Sequence, residues 1–361
     1  MLSDLRARLS GGVRPAHARL GLRAAVAAVA AYAIAYFLDL PNGYWAVLTA
    51  ILVVQSSIGA SLSTAIDRLL GTFAGGIIGV VCAMAAGPSL WLTFLALAIG
   101  ILIASTLAAR LPSYKLAPVT VAIVLLSDPT HAQPLISGLR RVFEIGVGGV
   151  VEVICALLVF PARALLYLFP HCAVALEACA ELMEMGRDGV LGRPWDHSQL
   201  DGLNNKVRAT LRAADQRVAE ARAERAGRLA NHPDPAPVVR SCRRLWHSVI
   251  ILLRSARQPL PAPLAERMSP KLDAAVSALC ALMRALAGEM RGQGNADPSA
   301  ALVAAAALES EGEHLAADGG LDHASGATLT VLFGAVSACT QVSQNLVDLS
   351  ARLAELRAND T

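Results

Sequence analysis

Along the first 163 residues the apolar side chains run in long unbroken blocks, without the alternation or three-to-four spacing of water-facing elements. From residue 24 to 66 the only charge is Asp39, and from 69 to 109 there is none. Six blocks stand out, at 24–40, 44–58, 69–86, 90–107, 116–126 and 142–160. A helix needs about 20 apolar residues to cross about 30 Å of hydrocarbon, so four blocks are full spans and the second and fifth are short ones. Turn residues separate them: Pro41-Asn42-Gly43, Gly87-Pro88-Ser89, Leu111-Pro112-Ser113 and Asp128-Pro129.

Beyond residue 163 the pattern changes to helical periodicity, with amphipathic runs at 173–187, 199–229, 238–257, 270–291, 298–314 and 324–357. Pro161 and Pro170 precede the first run, and Ser269-Pro270 and Asp297-Pro298 read as N-caps followed by first-turn prolines. The predicted fold is an all-α membrane protein. It has a cytoplasmic N-terminal segment (1–23), six transmembrane helices (24–163) and a cytoplasmic all-α bundle (164–361).

Composition agrees: of 361 residues 55% are hydrophobic and only 16% charged. Residues 1–163 hold 11 Lys+Arg and 6 Asp+Glu, against 20 and 22 in 164–361, so the two parts face different solvents. The seven cysteines contain no C-x-x-C pair and read as buried thiols, so neither zinc nor a disulfide framework is expected. No nucleophile triad, phosphate loop or metal constellation appears, so an enzyme is disfavoured and no cofactor or metal is predicted. Arg222, Arg225 and Arg228 with Arg240, Arg243 and Arg244 lack interleaved aromatics, which argues against nucleic acid. The start carries Arg6, Arg8, Arg14, Arg19 and Arg23, but the apolar run behind them shows no small-residue cleavage site and reads as an uncleaved first span. With six spans and the N-terminus inside, nine Lys/Arg fall on the cytoplasmic side and Arg140 and Arg141 outside, which places both termini in the cytoplasm.

The chain also matches itself at an offset of 73: Arg68 falls on Arg141 and Gly75-Gly76 on Gly148-Gly149. One unit is three spans used twice. Three is odd, so the second copy enters from the opposite side, giving an inverted 3+3 repeat of the kind that builds alternating-access transporters. The short second and fifth spans then correspond, which points to a central site between them. The stretches 56–67 and 127–140 are expected to be re-entrant or interfacial.

Four sets of residues carry candidate chemistry. Arg68 and Arg141 are expected at the first turn of their spans, where helix N–H groups and a guanidinium fork together favour a carboxylate; the alternative is headgroup anchoring. Gln55 and Thr72 join them as candidate substrate contacts. Glu144 and Glu152 lie inside the sixth span, where an ionised carboxylate costs about 2.5–3.5 kcal/mol on insertion scales. Glu144 can pair with Arg141, and Glu152, without a partner in its own helix, is the candidate proton carrier; the alternative is that both hold neighbouring helices by hydrogen bonds. Gly71, Gly75 and Gly79, with Gly148, have the small-residue spacing of a close-packed seam. Tyr44, Trp45 and Trp91 read as interfacial belt residues.

The run from Tyr44-Trp45 to Gln55, then Arg68-Leu69-Leu70-Gly71-Thr72 with Gly75 and Gly79, resembles the fusaric acid resistance and aromatic acid exporter superfamily. The later Arg141-Val142-Phe143-Glu144 with Gly148, closing at Phe160-Pro161, is similar to that family's sixth-span pattern. The resemblance covers about residues 20–165 and extends in architecture to the plant aluminium-activated malate transporters. It implies a multi-pass protein of a bacterial inner membrane that exports aromatic or other organic acids, with Arg68 and Arg141 on the anion path. Many relatives carry two such halves in one chain, so this single half is expected to pair as a homodimer. Ser56-Ser57 replaces the proline that often follows Gln55 in relatives, and Glu152 lies outside the family pattern. The candidate partners are therefore a small organic anion, membrane lipid, a second copy of the chain and a periplasmic adaptor protein. Three functions compete: an exporter driven by proton exchange at Glu144 or Glu152, an anion channel of the malate type, and a membrane-anchored scaffold with a helical interaction domain.

Overall fold

A computed structural model describes residues 15–126, 133–194, 196–229 and 231–358, all helix, turn and coil with no strand among them. The chain divides into two compact units, 1–163 and 164–361. Unit 1 contains α1 (Pro15–Phe37), α2 (Tyr44–Val53), α3 (Ile58–Ala86), α4 (Leu90–Arg110), a 3-10 turn (Pro112–Tyr114), α5 (Ala117–Leu126) and α6 (Pro134–Leu158).

α1, α3 and α6 start earlier than the apolar blocks suggest. Ser57 sits extended and its hydroxyl accepts the Ala60 N–H at 3.2 Å, a serine N-cap that starts α3 at Ile58. Pro134 stands in the first turn of α6, where its missing N–H costs nothing. Residues 58–67 and 134–140 are therefore helical, a correction to the re-entrant expectation; 127–132, with the Asp128-Pro129 break, lie outside the described residues, as do Arg6, Arg8 and Arg14. A second correction follows. Arg68 and Arg141 lie in the third turn of their helices, where backbone N–H groups are already bonded within the helix, so helix-end anion binding does not apply to them.

The helices of unit 1 meet through small residues. α3 and α6 run antiparallel, as the order of their contacts shows: Ala65 faces Gly149, Leu69 faces Gly146, Gly76 faces Val142 and Val80 faces Gly138. α5 lies along α3, with Leu116, Thr120 and Val124 over Gly71, Gly75 and Gly79. α2 lies along α6, with Ala46 and Thr49 over Gly148. A Cβ on Gly75 would overlap the Ala117 carbonyl oxygen, and one on Gly148 the Ala46 carbonyl oxygen. Each short helix thus seats its backbone on a glycine of a long one.

The outside of unit 1 is apolar. Phe37, Trp91 and Leu158 are 83%, 79% and 77% exposed, among many other large hydrophobic side chains. Such a continuous surface is stable against hydrocarbon and costly in water at about 25 cal/mol per Å². Among the described residues, five helices are long and apolar enough to cross a membrane: Ala18–Phe37, Ile58–Ala86 and Leu90–Arg110 in unit 1, and Leu165–Val190 and Gly326–Leu356 in unit 2. α2 and the Pro112–Leu126 segment are shorter apolar helices. α6, at 25 residues, carries Arg140, Arg141, Glu144 and Glu152, the last three buried.

Unit 2 comprises α7 (Leu165–Val190), α8 (His197–Ala226), α9 (Ala236–Ser255), α10 (Ala262–Met290), α11 (Ser299–Ala317) and α12 (Gly326–Ala358). Its core is built on Leu176, Met183, Leu245, Leu252, Leu279, Met283 and Leu346. Pro170 and Pro270 lie inside α7 and α10, a correction to their reading as breaker and helix start. Among the described residues its exposed large hydrophobics are Leu166, Ile251, Leu302, Val303 and Phe333. Its surface is laced with ion pairs: the basic face of α9 meets carboxylates through Arg243–Asp215 at 2.6 Å and Arg244–Asp348. Cys280 is fully buried, and desolvation pushes its thiol up to about 12, so it is unreactive at neutral pH.

Arg193 grips Asp273 with two N–H donors at 2.8 and 2.7 Å, and a third contact of 2.7 Å joins Arg193 to Ser269. The Arg193 hydrogen bond holds the Asp273 carboxyl below the usual carboxylate range. A depressed carboxyl contributes stability above its unfolded value, about 3.9, and loses it as pH falls through the folded one. In thermal melts of the full chain, Arg193→Ala is therefore less stable at pH 7 by about 0.5–1 kcal/mol, the size of a well-made partly exposed pair. The difference closes as the pH falls below the aspartate range.

Candidate functional site

Among the described residues, the charged side chains buried in unit 1 gather toward two ends. At one end, the N-terminal part of α6 and the start of α2 frame a cavity of about 620 Å³, lined among others by Asn42, Tyr44, Trp45, Arg140, Arg141 and Glu144. Arg141 is 5% exposed and its guanidinium carbon lies 3.1 Å from the centroid of the Trp45 ring. That stack covers one face of the cation. Its Nε and Nη1 are buried with no hydrogen-bond partner among the described residues. Glu144, 1% exposed, accepts the Asn42 backbone N–H at 3.2 Å and lies within electrostatic reach of both Arg141 and Arg140.

Arg68 lies deeper. Its Nε donates to the Thr49 hydroxyl of α2 at 3.0 Å, and it is close enough to Arg141 for the two cations to repel. Two like charges held inside apolar helices are costly unless an anion or water compensates them. Thr72 is buried one turn beyond Arg68.

At the other end of the unit, Arg23 of α1, the Gln55 backbone, Ser61 of α3 and Glu152 of α6 form the second group. The structure thus separates the residues singled out from the sequence: Arg141 and Glu144 line the cavity, Arg68 sits behind it, and Gln55 and Glu152 belong to the far end. Gln55 takes part through its main chain, donating its N–H to Ser61 at 3.1 Å and accepting from Arg23.

Sequence reasoning missed several participants. Arg23, which the sequence places in the cytoplasmic N-terminal segment, is buried within the Ala18–Phe37 helix. Trp45 was assigned to the interfacial belt but turns inward over Arg141, while Tyr44 and Trp91 remain exposed. Thr49 and Ser61 drew no attention because a single hydroxyl in an apolar run is unremarkable. The one available signal was periodic: Trp45 and Thr49 stand four apart and so share a helix face.

No curated protein matches the chain. The family described as fusaric acid resistance protein matches it over residues 18–259, which takes in the described helices of unit 1 and continues through α9 of unit 2, well past the sequence resemblance. The chain therefore belongs to the fusaric acid resistance protein family, as a multi-pass membrane protein with a transport or efflux role.

Proposed function

We propose that the chain carries small organic carboxylates, aromatic ones included, out of the cell through the Arg141 cavity and past Arg68. The observation that carries this reading is the Arg141 guanidinium: buried, stacked on Trp45 and left with two N–H donors unused at the wall of a cavity of about 620 Å³. A buried donor without a partner costs about 1–3 kcal/mol, and a carboxylate oxygen is an acceptor that makes a charge-assisted hydrogen bond to such a guanidinium N–H. An aromatic acid adds a ring that packs beside Tyr44 and Trp45.

The architecture in this reading is six crossings in two oppositely inserted triplets, α1–α3 and α4–α6. It is supported by the antiparallel contact of α3 with α6 and by the exchanged seating of α2 on α6 and α5 on α3. The short helices α2 and α5 then occupy matching places on either side of the buried arginines, as discontinuous helices do at transporter sites. Both termini lie in the cytoplasm of a bacterial inner membrane. Arg23, Arg68 and Arg141 are buried and drop out of the charge count, which leaves seven Lys/Arg on the inner side and Arg140 outside. Unit 2 is cytoplasmic. Its two apolar helices, α7 and α12, bury their apolar residues in a common core beneath a charged surface. Glu144 and Glu152 couple transport to protons, and two copies of the chain associate in the membrane.

Uptake of a panel of aromatic acids, benzoate among them, into proteoliposomes tests the proposal. The native chain moves at least one of them above empty vesicles, and Arg68→Ala slows it by about tenfold or more, the usual worth of one charge-assisted hydrogen bond. If neither protein moves any anion, the proposal fails.

A further inference from the structure

The cluster at the Ser57 end of α3 is sealed among helices: Arg23 is 3% exposed and Glu152 fully buried. Arg23 Nη2 donates to the Gln55 carbonyl and lies 3.5 Å from the Ser61 hydroxyl oxygen. That hydroxyl donates to Glu152 Oε1 at 3.2 Å. The two charges themselves meet loosely, with Arg23 Nε 3.6 Å from the same Oε1. Well-made guanidinium–carboxylate pairs are bidentate at about 2.7–2.9 Å. Here Arg23 Nε and Glu152 Oε2 are buried with no hydrogen-bond partner among the described residues. A buried ion pair that leaves valences open is a poor clamp, because it keeps the desolvation cost and forgoes part of the return.

Position adds to this. At 1.5 Å per residue, Ser61 stands about 10 Å along α3 from Arg68, and Glu152 about 16 Å along α6 from Arg141. The three guanidiniums are therefore stepped through unit 1: Arg141 by its cavity, Arg68 behind it and Arg23 at the far end. The groups that face Glu152 are few. Arg23 comes from α1 and Ser61 from α3; Cys155 lies one turn on in α6 itself. α5 has no ionisable residue, and in α2 the one such residue, Tyr44, stands at the cavity end.

We infer that Arg23 is a third anion station, at the cytoplasmic end of the path, and that Glu152 is its built-in competitor: a substrate carboxylate takes the guanidinium from Glu152, and the displaced side chain takes up a proton. The inference rests on the transport reading above. Charge balances, since one negative charge enters the cluster with the substrate and one positive charge enters as the proton. An uncompensated carboxylate among apolar side chains neutralises itself in this way. Anion and proton thus load together at this end, and binding tightens as the pH falls.

Equilibrium binding of benzoate to the full-length protein in detergent, at pH 6 and pH 8, provides the test. The native chain binds more tightly at pH 6. Glu152→Gln frees Arg23 of its competitor, binds about tenfold more tightly at pH 8 and loses the pH dependence. Arg23→Gln binds about tenfold more weakly at pH 6. The double variant Arg23→Gln, Glu152→Gln restores a neutral cluster and melts near the native temperature without regaining affinity. Should Arg23→Gln not fold, Arg23→Lys, which keeps the charge and lacks the fork, reads the same loss. If the single variants change only melting temperature and leave affinity and pH dependence as in the native chain, the pair is a structural clamp and the inference falls while the transport reading stands. If the native chain binds no benzoate at either pH, the inference falls, and the transport reading is decided by the uptake panel.

Discussion

Arg141→Ala lowers carboxylate transport by about tenfold or more, and the variant melts near the native temperature. The two halves of this expectation come from the same geometry. Arg141 presents two buried N–H donors with no partner among the described residues. These two nitrogens point to opposite sides of the guanidinium, so one carboxylate reaches one of them and gains a charge-assisted hydrogen bond of about 1.5–3 kcal/mol. The lower figure is a factor of about ten in affinity. In the empty protein the same cation repels Arg68 and leaves polar atoms dry, so its removal takes away a strain on the fold. What is lost is the stack on Trp45, about 0.5–2 kcal/mol, and the attraction to Glu144, which keeps the Asn42 N–H and the weaker field of Arg140. Arg141→Lys separates charge from shape: an ammonium keeps the attraction but lacks the planar fork and stacks less well, so it restores only part of the rate. Flux per folded protein and melting temperature, measured on the same preparations, decide the matter. A variant that melts far below the native chain yet transports normally per folded molecule makes Arg141 a structural residue.

The sequence shows some parts of this arrangement plainly and conceals others. The helical class and the change of solvent near residue 163 are visible because lipid and water impose opposite surfaces, and composition records that directly. The offset of 73 brought Arg68 onto Arg141 and Gly75 onto Gly148 before any geometry was known. Helix starts were harder. The polar Ser61, Ser63, Thr64 and Asp67 suggested a loop where Ser57 in fact caps a helix that runs through them, so both arginines were placed near helix ends when they lie well inside. Pairings across helices were not legible at all. Arg23 meets Glu152 across 129 positions of sequence, and Glu152 has no partner in its own helix. Trp45 at a span start has the composition of a belt residue, and only the packing of α2 on α6 turns it over Arg141.

Each double glycine contains one position where the fold requires glycine and one that tolerates a methyl group, and the requirement falls on the same member in both. Gly75→Val and Gly148→Val abolish the monodisperse folded protein, and the alanine versions cost about 1–3 kcal/mol of stability, the usual penalty for forcing an atom into a packed contact. The reason is that the obstructing atom is main chain. A Cβ at Gly75 meets the Ala117 carbonyl and, at 2.7 Å, Thr120 Cβ; one at Gly148 meets the Ala46 carbonyl and, at 2.8 Å, Thr49 Cβ. A carbonyl inside a helix cannot rotate away without breaking its own hydrogen bond, so the whole short helix must retreat. Gly76→Ala and Gly149→Ala behave differently. Their nearest neighbours are the Val142 side chain at 3.9 Å and the Ala65 side chain at 3.6 Å, ordinary van der Waals contact. Alanine is favoured over glycine in a helix by about 1 kcal/mol, so these two variants are neutral or stabilised. The four alanine proteins, compared by size-exclusion profile and melting temperature, should fall into two pairs. If Gly75→Ala disrupts the protein and Gly148→Ala does not, the two halves do not seat their short helices alike, and the proposed relation between the triplets loses its main support. If both disrupt it and both neighbours tolerate the methyl group, α2 and α5 are held by equivalent contacts on α6 and α3, which is what oppositely inserted copies of one unit require.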